Sequence, residues 1–155
     1  MSVTLYHHTS WDGLTGIMSD GKIKESRDGG KDAIFGKGVY LTSLGPEISE
    51  EVVAQNNFDN AAAYMLKEGR GKVILEVTVP EQNVSRAEST RDIFIHSGDI
   101  PKSAITFVYR RSNNGKVIKC KVLSEFQSQV SKIKTAVAAF ACIFVLGMLA
   151  IRNID

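Results

Sequence analysis

Phe35-Gly36-Lys37-Gly38-Val39-Tyr40-Leu41-Thr42-Ser43 decides how this chain is read. Neither glycine carries a Cβ, so the backbone can turn tightly and come close to a ligand. A β-prone run, residues 39–42, follows at once and places one aromatic, Tyr40, just beyond the turn. Glycines beside a single aromatic suit a flat ring laid against a backbone wall. They equally suit a turn that feeds a core strand whose Tyr packs inside. Two other glycine loops do not fit. A P-loop needs Gly, four residues, then Gly-Lys-Ser/Thr. Gly30 to Gly36 is one residue too long for that, and Gly38 stands where the hydroxyl belongs. A dinucleotide fingerprint needs Gly-x-Gly-x-x-Gly between a strand and a helix. Here Leu41 occupies the third glycine position and the strand follows the loop.

The chain has 155 residues, enough for one domain with a substantial core. Its formal net charge of +2 implies no polyanionic partner, so nucleic acid is conceivable as a substrate but not as a strong electrostatic partner. The two cysteines, Cys120 in an expected strand and Cys142 in an apolar run, make neither a disulfide framework nor a metal pattern and suit a reducing compartment. The first residues show no basic region followed by an apolar one, so no secretory signal is expected.

Residues 3–10 read as a first strand, in which His7 faces away from Tyr6 and His8. A metal site from both histidines is discounted on that ground, and no metal is expected. Ser10 or Asp12 caps a helix with Leu14, Ile17 and Met18 on its buried stripe, ending at Gly21. Residues 23–26 form a short strand and 27–33 a mobile loop. Pro46 and Glu47 suit a helix start; Gln55-Asn56-Asn57 breaks the pattern, and Asp59 or Asn60 caps a second helix ending near Gly69. Residues 72–79, 91–96, 104–110 and 116–123 read as strands, the last two a hairpin about Ser112-Asn113-Asn114-Gly115.

Residues 135–151 contain no charge and are apolar on every face. As a helix they span roughly 26 Å, the low end for crossing a bilayer. A domain this small has little room to bury such a helix, so a single-pass membrane anchor is expected, with a linker at 126–134 and a folded domain at 1–125. Lys132 and Lys134 place that domain on the cytosolic side.

Three residues occupy strand positions suited to a shared cleft: His7, Tyr40, and Asp92 in Asp92-Ile93-Phe94-Ile95-His96. The stretches that carry them resemble a known superfamily. Phe35-Gly36-Lys37-Gly38-Val39-Tyr40-Leu41 is similar to the Phe-Gly-Lys-Gly-Ile-Tyr-Phe segment of poly(ADP-ribose) polymerase catalytic domains, and Tyr6-His7-His8-Thr9-Ser10 to their first-strand His-Gly-Ser/Thr. Asp92-Ile93-Phe94-Ile95-His96 resembles their Glu-Tyr-Ile-Val-Tyr strand with Asp for Glu, which points to the toxin-type ADP-ribosyltransferases with a His-Tyr-Asp signature. The resemblance covers roughly residues 4–110.

The resemblance implies an α+β fold, split antiparallel sheets around an NAD cleft with flanking helices, followed here by the C-terminal apolar helix. It implies transfer of one ADP-ribose from NAD to an unidentified acceptor, with release of nicotinamide. The acceptor is a protein, a nucleic acid or a small molecule. An inactive NAD- or ADP-ribose-binding module and an NAD glycohydrolase are the alternatives. By position, His7 would bond the adenosine-side ribose, Gly38 and Tyr40 would wall the nicotinamide, and main-chain groups of His8 would hold its carboxamide. Thr9 or Ser10 would add a hydroxyl, Tyr64 would supply a second aromatic wall or else pack in a helix core, and Asp92 would bind the nicotinamide ribose. Asp92 is one methylene shorter than the polymerase Glu, which favours single transfer over chain growth.

Overall fold

A computed structural model of the chain describes residues 1–27 and 34–121. Most of the expected 27–33 loop, the end of the last strand, the linker and the apolar segment 135–151 lie outside the described residues. Among the described residues, no helix is long and apolar enough to cross a membrane.

In chain order the elements are β1 (Ser2–Thr9), α1 (Trp11–Asp20), β2 (Lys22–Ile23), β3 (Val39–Leu41), α2 (Glu50–Phe58), α3 (Ala62–Lys67), β4 (Val73–Pro80), β5 (Val84–Arg86), β6 (Phe94–His96), β7 (Ile100–Pro101), β8 (Ile105–Arg111) and β9 (Val117–Lys121). They form a four-stranded sheet ordered β1-β4-β8-β9, a three-stranded sheet ordered β3-β6-β5, and the pair β2-β7. The β1–β4, β4–β8, β3–β6, β5–β6 and β2–β7 ladders are antiparallel. This is the α+β architecture of split antiparallel sheets that the resemblance implies.

β4 is the axis of the core. Val73, Ile74, Leu75 and Val77 are wholly buried. A strand buried on both faces needs such a continuous apolar run, and each side chain of this size contributes roughly 1.5–3 kcal/mol on burial. Alternation along β1 then sets the site. Leu5, His7 and Thr9 stand opposite Val77, Leu75 and Val73 on one face, while Tyr6 and His8 belong to the other.

The two main sheets touch through one isolated bridge, in which Tyr6 N–H donates to Thr42 O at 2.8 Å and Thr42 N–H to Tyr6 O at 3.0 Å. Beyond it β1 and β3 part. By alternation, a residue whose N–H and C=O pair on one edge is followed two residues later by another with the same orientation. His8 therefore presents its main-chain donor and acceptor on the edge that Thr42 leaves.

Four expectations need correction. The helix expected from Pro46 begins at Glu50, because Ser49 supplies the cap: its Oγ accepts from Val52 N at 3.3 Å. Asn56 and Asn57 do not break that helix, which runs to Phe58 and stops where Asp59 takes φ +47°. Neither Asp59 nor Asn60 caps the next helix; a 3-10 turn, Asp59–Ala61, leads into α3 with no side-chain cap. The strand expected over 91–96 is only Phe94–His96, so Asp92 lies just before it rather than at its head. β5 and β7 are too short to register as periodic segments.

Candidate active site

A cavity of about 400 Å³ opens where β1 and β3 diverge. Its walls are the end of β1 (His7, His8, Thr9), the glycine segment from Phe35 to β3, and the end of α2 (Asn57, Phe58), closed by Arg70, Arg91 and Ile93.

His7 reaches across the cleft, with Nδ1 3.1 Å from the Tyr40 carbonyl oxygen. A carbonyl only accepts, so Nδ1 carries the proton and Nε2 is left as a bare acceptor. Burial holds the imidazole below its usual pKa, helped by the Arg70 charge and opposed by the bond to Tyr40. His7 is neutral at neutral pH and suited to accept from a hydroxyl.

The hydroxyl of Tyr40 accepts from Phe35 N at 2.8 Å and donates to Gly36 O at 2.8 Å. These bonds tie the ring to the glycine loop, so Tyr40 offers the cavity its aromatic surface. Phe35 lies beside it, ring centroids 6.4 Å apart. Gly38 lines the cavity too, and Ser26 holds its carbonyl through both N–H (2.9 Å) and Oγ (2.8 Å).

His8 follows the alternation. Its ring turns to the opposite sheet face, where Nε2 donates to Leu44 O at 2.8 Å, while its main chain faces the cleft. His8 is 7% exposed, and burial drives its pKa down to about 4. The folded protein thus keeps His8 neutral where the unfolded chain, near 6.5, takes up a proton. The stability carried by neutral His8 is complete above about pH 6.5 and is lost as pH falls toward about 4, ~3 kcal/mol over that interval. Urea unfolding at neutral pH and at about pH 4 should show that decline in the wild type and a smaller one in His8→Gln; equal declines would remove His8 as its source.

Asp92 does not line the cavity, though its neighbours Arg91 and Ile93 do. Its Oδ2 accepts from Thr42 Oγ1 at 2.7 Å, Ser43 N at 2.7 Å and Ser43 Oγ at 2.9 Å. Partial burial raises its pKa, but the bonds from Thr42 and Ser43, with the Arg86 charge, outweigh it and hold the carboxyl below its ordinary value. The carboxylate is therefore a fixed negative charge at the end of β3.

Ser10 and Tyr64 are not brought to the cavity. Ser10 Oγ accepts from Gly13 N at 3.1 Å as the cap of α1, so its hydroxyl serves the helix. Tyr64 is 61% exposed. Both border a second recess of about 270 Å³ that shares only Met65 and Arg70 with the first. Thr9, by contrast, lines the cavity as expected.

Four residues escaped the sequence reading. Lys24, Arg70 and Arg91 bring three cations to the cavity, and no carboxylate is among its described lining residues. Arg91 stacks 4.9 Å from the Phe35 ring centroid, and its Nη1 is buried without a hydrogen-bond partner among the described residues. They come from separate segments, so no motif announces them. The fourth is Asn56, whose side chain bonds the main chain of Asp92.

A family model described as "HYD1 signature containing ADP-ribosyltransferase" matches residues 5–104, more than half of the chain. No curated protein and no solved structure matches it. The matched span runs from within β1 to the residue before β8 and takes in His7, Tyr40 and Asp92. With the split antiparallel sheets and the cleft between them, this chain belongs to the Tox-ART-HYD1 family of toxin-type ADP-ribosyltransferase domains.

Proposed function

We propose that the protein is a mono-ADP-ribosyltransferase that uses NAD as its substrate. The observation that carries this reading is the make-up of the cavity: an aromatic wall, a bare imidazole nitrogen, an open main-chain edge and three cations, with no carboxylate among the described lining residues. NAD asks for each of these. Its nicotinamide ring stacks on an aromatic face. Its carboxamide pairs with one donor and one acceptor, as the His8 main chain supplies. A ribose hydroxyl donates to His7 Nε2. Its diphosphate is met by Lys24, Arg70 and Arg91, where Nη1 of Arg91, without a partner among the described residues, gains an acceptor.

In the reaction the glycosidic C–N bond breaks and nicotinamide leaves with the electron pair as a neutral molecule. The ribose carbon becomes oxocarbenium-like, a nucleophilic atom of the acceptor bonds to it, and the acceptor's proton passes to solvent. Asp92 stabilises the positive charge only as it forms, which lowers the barrier rather than tightening ground-state binding. A second reading, an inactive NAD-binding module, is favoured by one observation: Asp92 Oδ2 is fully occupied by Thr42 and Ser43, outside the cavity lining.

Incubation of the full chain with labelled NAD and cell lysate separates the possibilities. Label on a macromolecule together with released nicotinamide supports the transferase. Nicotinamide release without label selects a glycohydrolase, and NAD binding with neither selects the inactive module. Tyr40→Ala should weaken NAD binding about tenfold by calorimetry, since the stack acts in the ground state as well. Unchanged affinity would mean that Tyr40 packs the core and the ring site is elsewhere.

A further inference from the structure

Among the described residues, no ladder holds the main chain at Asp92. The β3–β6 ladder begins at Leu41↔Phe94 and the β5–β6 ladder at Arg86↔Phe94, so the main chain at Asp92 has left both. What holds it is a side chain from helix α2. Asn56 Oδ1 accepts from Asp92 N–H at 2.7 Å, and Asn56 Nδ2 donates to Asp92 O at 2.9 Å. The primary amide thus does for Asp92 what a neighbouring strand does for a residue inside a sheet: it pairs both main-chain groups at once. Among side chains in their ordinary ionisation state at neutral pH, a coplanar donor and acceptor side by side belong to the amides of Asn and Gln. The same Nδ2 also donates to Asn57 Oδ1 at 2.9 Å, and Asn57 lines the cavity.

We propose that Asn56 is the positioning residue for Asp92: its amide fixes the main chain at Asp92 and so aims the carboxylate at the Thr42–Ser43 turn beside the cavity. For catalysis this rests on the reading of Asp92 as the carboxylate that stabilises the reacting ribose. The geometric claim does not depend on it. A group aimed through two hydrogen bonds loses its aim when both are deleted, and misplacement of a reacting group by about 1 Å can lower a rate as much as 100-fold. The link through Asn57 couples the end of α2, one wall of the cavity, to the same carboxylate.

The test uses the full chain and two readouts. In the first, the carboxyl of Asp92 is titrated by NMR in wild type and Asn56→Ala. The Asp92 pKa should rise toward its ordinary value, because the carboxylate drifts from Thr42 and Ser43, while other carboxyls stay put. A variant that merely loses stability leaves the Asp92 titration where it was, and that result overturns the proposal. Should Asn56→Ala not fold, Asn56→Gln, which keeps both amide groups on a longer stem, decides it by the same titration with a smaller rise.

The second readout is nicotinamide release in a double-mutant cycle. Asn56→Ala should lower kcat roughly tenfold with little change in KM for NAD, and should have almost no further effect when Asp92 is already Asn. Equal losses in both backgrounds overturn the coupling. If Asp92→Asn turns over like wild type, the catalytic reading of Asp92 fails, yet the titration still decides whether Asn56 aims it.

Discussion

Asp92→Asn should retain NAD affinity within a few-fold and lose roughly 100-fold to 1000-fold in turnover. The substitution is nearly isosteric, and the partners of Oδ2 are two hydroxyls and one main-chain N–H, all of which donate. An amide oxygen placed at Oδ2 accepts from the same three groups, so the turn at Thr42–Ser43 keeps its shape. What disappears is the charge. The carboxyl of Asp92 is held below its ordinary pKa by those donors, against the opposing effect of burial, so the wild type carries a full negative charge at neutral pH. A fixed charge matters most where positive charge appears late, on the ribose carbon in the transition state, and much less in the bound substrate. The pH profile adds a sign. Wild-type turnover should fall only as pH drops through the lowered Asp92 pKa, and this acid limb should be missing from the residual rate of the variant. Steady-state nicotinamide release with calorimetry on the same samples measures both halves. Equal turnover in the two proteins would take Asp92 out of the chemistry.

Much of this arrangement is legible in residues whose local pattern and tertiary role coincide. Alternation in β1 separates His7 from His8, and the structure keeps them on opposite faces. The Gly-Lys-Gly-Val-Tyr stretch reads as a turn into a strand, and it is one. Other positions are opaque for identifiable reasons. Asn56 and Asn57 look like a helix end because Asn competes for backbone bonds and is a weak helix former. In the fold that tendency is spent on Asp92, a residue 36 positions away, and the helix continues. Ser10 suits two tasks by its place in the sequence, capping and ligand contact, and in the fold its Oγ serves the local one, accepting from Gly13 N–H as the cap of α1. Asp92 reads as a strand head because the apolar run Ile93-Phe94-Ile95 begins one residue before the strand that pairs, Phe94–His96. Lys24, Arg70 and Arg91 meet only through the tertiary fold, and no spacing along the chain encodes their meeting.

The glycine stretch makes the last and sharpest distinction, because its two glycines are needed for different reasons. Gly36 has φ +97° and open space around a notional Cβ, so Gly36→Ala meets conformational strain alone, about 1 kcal/mol. Gly38 has φ +152°, and a Cβ there would lie 2.4 Å from Ile95 Cγ2 and 2.8 Å from the His96 carbonyl oxygen. The Ile95 side chain can rotate away. The His96 carbonyl cannot, because His96 is paired with Val39 on one side and Val84 on the other. Gly38→Ala must therefore push β3 off β6 or strain both, and should destabilise the protein by about 4 kcal/mol, strain and overpacking together. That is a large share of the 5–15 kcal/mol typical of a folded domain. The consequence for the site is specific. The strand that moves carries Tyr40, and the one it leaves begins two residues after Asp92, so NAD binding should fall in the fraction that remains folded. Urea unfolding of the two variants side by side gives the comparison. A loss in Gly38→Ala no greater than in Gly36→Ala would mean that β3 and β6 have room to spare, and that the close approach at Gly38 is not what fixes Tyr40 against the cleft.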